Sequence, residues 1–96
     1  MRLLALIALF VATAAAAQLR TIPADAERGE IRHVQGSTIE LNGARETLAP
    51  GVRIRDPQNR VIVPSALPAG ALVKFRRDAK GAVQEVWILT PEEASR

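Results

Sequence analysis

The rhythm of apolar and polar residues changes once along this chain, at Ala17–Gln18. Leu3 to Ala12 is almost wholly apolar. Beyond Gln18, short apolar runs alternate with polar ones, and turn signals separate them at intervals of roughly eight to twelve residues, the pattern of a small all-β domain. Glu30–Gln35 is the first run. Thr38-Ile39-Glu40-Leu41 alternates cleanly, with Ile39 and Leu41 on the core face, and Asn42-Gly43 after it is a strong hairpin signal because both residues accept positive φ. Arg45–Leu48 is predicted to pair back. Ala49-Pro50-Gly51 reads as a type II turn and Asp56-Pro57-Gln58-Asn59 as a type I turn, with a strand between them that points Val52 and Ile54 inward. Arg60–Val63 is a short strand ended by Pro64. Ser65–Gly70 is too proline-bounded for a helix and predicts one 3₁₀ turn across an end of the sheet. Ala71–Arg77 sends Ala71, Val73 and Phe75 inward, Asp78–Gly81 makes a tight loop, and Ala82–Leu89 is the last strand. Thr90-Pro91-Glu92-Glu93 then opens a helical turn, with Thr90 as N-cap, Pro91 at the first position and Glu93 completing a capping box.

Two strands break the alternation in the same way. Gly29-x-Ile31-x-x-Val34 and Gly81-x-Val83-x-x-Val86 space their apolar residues three apart, and a strand puts residues i and i+3 on one face only where an extra residue bulges out. Bulged, bent strands at both ends of a small β domain predict a sheet curling to close on itself, which also removes exposed edges. The expected fold is therefore an all-β, closed or partly open barrel of about five to six strands, OB-like or alternatively SH3-like.

The spacing G-x-Φ-x-x-Φ-x-G-x-x-Φ-x-Φ-x-G, carried by Gly29, Ile31, Val34, Gly36, Ile39, Leu41 and Gly43, resembles a family of small exported bacterial barrel domains of unknown function. The later half resembles them too, through Val52 and Ile54, Leu67-x-x-Gly70-x-x-Val73 and Gly81-x-Val83-x-x-Val86. The shared positions are glycines and core aliphatics, so the resemblance implies an OB-like barrel and carries no site residue.

Met1-Arg2, the apolar run and the small residues Ala15 and Ala17 before Gln18 form the three parts of a secretory signal peptide, with cleavage expected near Ala17. The alternative is an uncleaved membrane anchor, because the stretch Leu3–Leu19 holds no charge and is just long enough to span a bilayer. The expected organisation is a signal peptide over residues 1–17, a flexible lead-in over 18–28, the barrel over 29–90 and a C-terminal tail over 91–96. Export points to the periplasm. With no cysteine, lipid attachment, disulfides and thiolate metal sites are excluded, and the domain is held by its core alone. Arg2 leaves with the leader, so thirteen basic residues become twelve against ten acidic ones, a net charge of +2. That balance, with Phe75 and Trp87 as the mature aromatics, does not suit a nucleic-acid binder.

Candidate chemistry is sparse. The single methionine is Met1, which leaves His33 and Trp87 without the sulfur donor a Cu(I) site needs. His33 reads as a surface residue near the first bulge. Ser37, Ser65 and Ser95 lack a nucleophile's setting, and Glu92-Glu93 is a paired carboxylate in a solvated tail. No catalytic residue, cofactor or metal site is expected. What remains is a basic face: Arg53, Arg55, Lys74 and Arg76 all point outward, and arginine suits phosphate and carboxylate. Their ligand would be an anionic envelope component or an acidic protein. Trp87 and Leu89 form a second candidate, a partner strip on the outer face of the last strand, expected to be covered by the C-terminal turn or by a partner. The expected function is a non-enzymatic binding or interaction module; the alternative is a structural accessory domain of a larger envelope assembly.

Overall fold

The computed structural model describes residues 20–95. The leader assigned to residues 1–17 lies outside them. Six strands form: β1 (Glu27–Gln35), β2 (Thr38–Leu41), β3 (Ala44–Arg55), β4 (Val61–Ile62), β5 (Ala71–Arg77) and β6 (Val83–Ile88). A 3₁₀ turn covers Pro64–Ala66, and a single helical turn, α1, covers Pro91–Ala94. The sheet order is β2-β1-β5-β6-β3-β4, and β2 also pairs with β3, so five strands close a ring and β4 hangs from β3 as an extra strand. All pairs are antiparallel except β3–β6. A parallel pair needs a crossover between its strands, and β4, the 3₁₀ turn and β5 supply it. This is the OB-like member of the two expected topologies.

The inward residues of all five ring strands fill the interior: Ile31, Ile39, Leu41, Leu48, Ile54, Val73, Phe75, Val83, Val86 and Ile88, with Leu67 plugging one end from just beyond the 3₁₀ turn. A five-stranded barrel is narrow enough for side chains alone to occupy it. Gly29 is needed because the Phe75 ring lies against β1: a Cβ there would meet Phe75 Cε1 at 3.0 Å and Leu41 Cδ1 at 3.1 Å. At the β2–β3 turn Asn42 and Gly43 both take positive φ, 54° and 82°, as a two-residue hairpin loop demands.

One bulge forms as expected, while other expectations need correction. The register of β6 skips Gln84, which places both Val83 and Val86 in the core as the spacing predicted. In β1 the bulged residue is Val34 itself: Ile31 and His33 face inward, opposite Leu41 and Ile39, and Val34 is exposed. His33 is accordingly half-buried at the barrel mouth, its Nε2 3.0 Å from the Gly36 carbonyl, and is not a free surface residue. Ala49-Pro50-Gly51 does not turn the chain. Gly51 lacks the positive φ of a type II turn, and β3 runs through, with a register shift against β6 between Leu48 and Arg53. Pro50 has no N–H to give a ladder, so it sits where the ladder is interrupted. Finally, β1 begins at Glu27, two residues before the expected start, and residues 20–26 form a strap leading into it.

Candidate functional site

Strand alternation sends Arg53 and Arg55 of β3, and Lys74 and Arg76 of β5, to the outer surface. These strands are not neighbours. β6 lies between them, and the bulge at Gln84 sets its phase so that Glu85 and Trp87 also point outward. The registers build two rows across the face: Arg53–Glu85–Arg76, and Arg55–Trp87–Lys74. Four cations therefore frame one carboxylate and one indole.

Glu85 divides itself between two of them. Its Oε2 lies 3.5 Å from Arg55 Nη1 and its Oε1 lies 3.3 Å from Arg76 Nη1. Arg76 Nε also lies 3.5 Å from Asp25 Oδ2 in the strap. These are long, partly solvated pairs of the kind that contribute about 0–1 kcal/mol each, too little to lock the guanidinium groups away from a ligand. Arg53 and Lys74 make no ion pair among the described residues. Counting Glu85 and Asp25, the face carries a formal charge of +2, which equals the net charge expected of the mature domain.

The partner strip is already covered. Trp87 is only 4% exposed although its register is outward, and it stands outside the core cluster. The strap beside this face is held at both ends. One end is fixed where β3 and β6 finish, through Arg20, and the other beside β5, through the Asp25–Arg76 pair and the Glu27–Phe75 register. Ile22, Pro23 and Ala26 are the half-buried apolar residues of the segment between. Leu89 is buried beside Leu72, whose carbonyl accepts its N–H at 2.9 Å. α1 folds back over that side of the barrel, with Arg28 Nη2 donating to the Glu93 carbonyl at 2.7 Å.

Among the described residues Arg20 makes the most side-chain hydrogen bonds. Its Nε donates to Glu93 Oε2 at 3.1 Å and its Nη2 to Glu93 Oε1 at 2.9 Å, a bidentate pair. Its Nη2 also donates to the Ile88 carbonyl at 2.6 Å and its Nη1 to the Asp56 carbonyl at 2.8 Å. Glu93 closes the predicted capping box as well: it accepts from Thr90 N at 3.0 Å, while Thr90 Oγ1 accepts from Glu93 N at 3.1 Å. The hydrogen bonds from Arg20 are the main reason the Glu93 carboxyl titrates below its ordinary range, against a smaller opposing effect of burial. On the opposite rim Arg77 pairs with Glu46, which lowers that carboxyl and raises the guanidinium, and Arg77 also lies 5.3 Å from the centre of the Phe75 ring. Arg77 is thereby engaged and stands apart from the basic face.

Sequence reasoning missed Arg20, Asp25 and Glu85. Glu85 was legible in principle, because the bulge that puts Val83 and Val86 inside forces it out. Among the described residues no group of three His, Asp or Glu side chains is placed to hold a metal ion. Comparison of the chain with protein-family models, with curated proteins and with solved structures finds no match.

Proposed function

We propose that this chain is an exported, non-enzymatic binding module that works in the periplasm after cleavage near Ala17, and that its β3–β6–β5 face takes an anionic ligand. The observation that carries the reading is the pair of cross-strand rows, which gather Arg53, Arg55, Lys74 and Arg76 around a single carboxylate of the sheet. The resemblance of the glycine and aliphatic spacing to small exported barrel domains supports the same compartment. Heparin is a suitable soluble probe. Its affinity should fall steeply as salt rises, because exposed charges are screened over about 10 Å at 0.1 M ionic strength. Arg53→Glu with Lys74→Glu should abolish binding and leave the fold intact; equal binding by wild type and the reversed variant refutes the reading. Compartment is tested separately by sequencing the N-terminus of the periplasmic form, where an intact Met1 is the refuting result.

One observation favours the alternative, an accessory domain in a larger envelope assembly. β4 pairs only with β3, so its outer edge is free among the described residues. That reading predicts that the charge reversal is silent while substitutions on β4 abolish assembly.

A further inference from the structure

We infer that the anionic ligand of this face is the headgroup layer of an anionic lipid bilayer, an inference that rests on the binding role proposed above and names its target. The cations are bordered by exposed aliphatic side chains. Of the four large hydrophobic residues exposed among the described residues, Val61, Val63 and Leu72 lie at the margins of this face, and Val34 alone lies elsewhere. Val61 is the cross-strand partner of Arg55 and is 65% exposed. Val63 follows two residues later, on the same side, at 62%. Across the sheet Leu72 precedes Lys74 by two residues on β5, shares its outward side, and is 53% exposed. The face thus has Arg53, Arg55, Lys74 and Arg76 in its middle, Val61 and Val63 along its β4 side, and Leu72 beyond Lys74 at the start of β5.

A soluble polyanion has use only for the middle. A bilayer surface uses both parts: lipid phosphates accept from the guanidinium and ammonium groups, while the margins of the face enter the boundary between headgroups and acyl chains. A protein docking by strand addition fits less well. β4 offers only Val61–Ile62 before Pro64 ends it, too short a run of main-chain groups to hold a strand. Trp87 takes no direct part, since it is only 4% exposed.

The experiment compares sedimentation with vesicles of phosphatidylglycerol and phosphatidylcholine, sedimentation with vesicles of phosphatidylcholine alone, and binding to heparin. Wild type should bind the phosphatidylglycerol vesicles at least tenfold more tightly than the neutral ones, since each cation near an anionic surface contributes about fivefold. The triple variant Val61→Ser, Val63→Ser, Leu72→Ser should lose about tenfold or more in vesicle affinity and keep its heparin affinity within about twofold, because it removes apolar area and no charge. Unchanged thermal melting of the variant, whose three positions are exposed, separates lost binding from lost folding. Vesicle binding by the triple variant equal to wild type overturns the inference. So does heparin binding without vesicle binding, which leaves the binding role standing and assigns the face to a soluble anion or an acidic protein. If wild type binds neither heparin nor vesicles, the proposed binding role falls, and the inference falls with it.

Discussion

Replacing Arg20 by alanine should cost this domain a large share of its stability. The guanidinium is 8% exposed and the Glu93 side chain 17% exposed, so solvent screens their pair only weakly. The substitution removes a bidentate charged pair and two hydrogen bonds to main-chain carbonyls, at Ile88 and Asp56; the Asp56 carbonyl keeps its bond from Asn59 N. Hydrogen bonds to charged groups contribute about 1.5–3 kcal/mol, and breaking a well-buried pair by deleting one member costs about 3–5 kcal/mol. Because Glu93 keeps its bond from Thr90 and regains some water, we expect a loss of about 2–4 kcal/mol. A domain of about eighty residues has roughly 4–12 kcal/mol to lose. The melting temperature should fall by roughly 10–25 °C, and the urea midpoint by about 2 M at an unchanged slope. The single tryptophan, Trp87, reports both transitions by its emission. Arg20→Lys should recover little, since an ammonium cannot make the bidentate contact. The effect also has a pH signature. Glu93 is held below its ordinary pKa of 4.5 in the folded state, so its contribution is complete above that value and is lost as pH falls through the lower, folded one. Wild type and Arg20→Ala should therefore converge in acid. A loss under about 0.5 kcal/mol at pH 7, the usual effect of a surface substitution, refutes the clamp.

Gly29→Ala should destabilise by about 1–3 kcal/mol, as overpacking does, and Phe75→Leu in the same chain should return part of the loss; additive losses in a denaturation series would show that the ring is not the obstacle. If the half-buried Ile22 of the strap shields the indole, Ile22→Ser should shift Trp87 emission to the red in the folded state, and an unshifted spectrum means that another group covers it. Asn59 holds φ at 66°, so Asn59→Val should cost about 1–2 kcal/mol by thermal melting, whereas Asn59→Gly should be neutral or slightly stabilising.

What the chain discloses before folding depends on whether a residue's partners are side chains nearby or atoms far away. The Asn42-Gly43 turn and the Thr90–Glu93 capping box are local, and each forms as its residues predict. The bulge at Gln84 was readable because Val83 and Val86 are both aliphatic and only a bulge puts both inside. The same spacing misleads in β1, where His33 can sit half-buried at the mouth with its ring against the Gly36 carbonyl, and Val34 is then the residue extruded. Pro50-Gly51 is a turn by local preference, but the pairing of β3 with β6 on either side of it overrides that preference and keeps the strand going. The outward sense of Arg53, Arg55, Lys74 and Arg76 followed from alternation. That β6 separates the two pairs did not, since alternation gives faces and not neighbours. Arg20 was invisible: two of its partners are main-chain carbonyls, which have no sequence signature, and its side-chain partners Asn59 and Glu93 are 39 and 73 residues away.

The strand order sets the moment at which this protein can come into being. β6 is the latest of the six strands to be synthesised, yet it stands in the middle of the sheet, paired on one side with β3 and on the other with β5. Until it arrives, the β1–β2–β3 meander leaves Ile31, Leu41, Leu48 and Ile54 with one side of the core missing. Closing the barrel therefore waits on the last strand and on distant pairings, the kind that fold in milliseconds to seconds rather than microseconds.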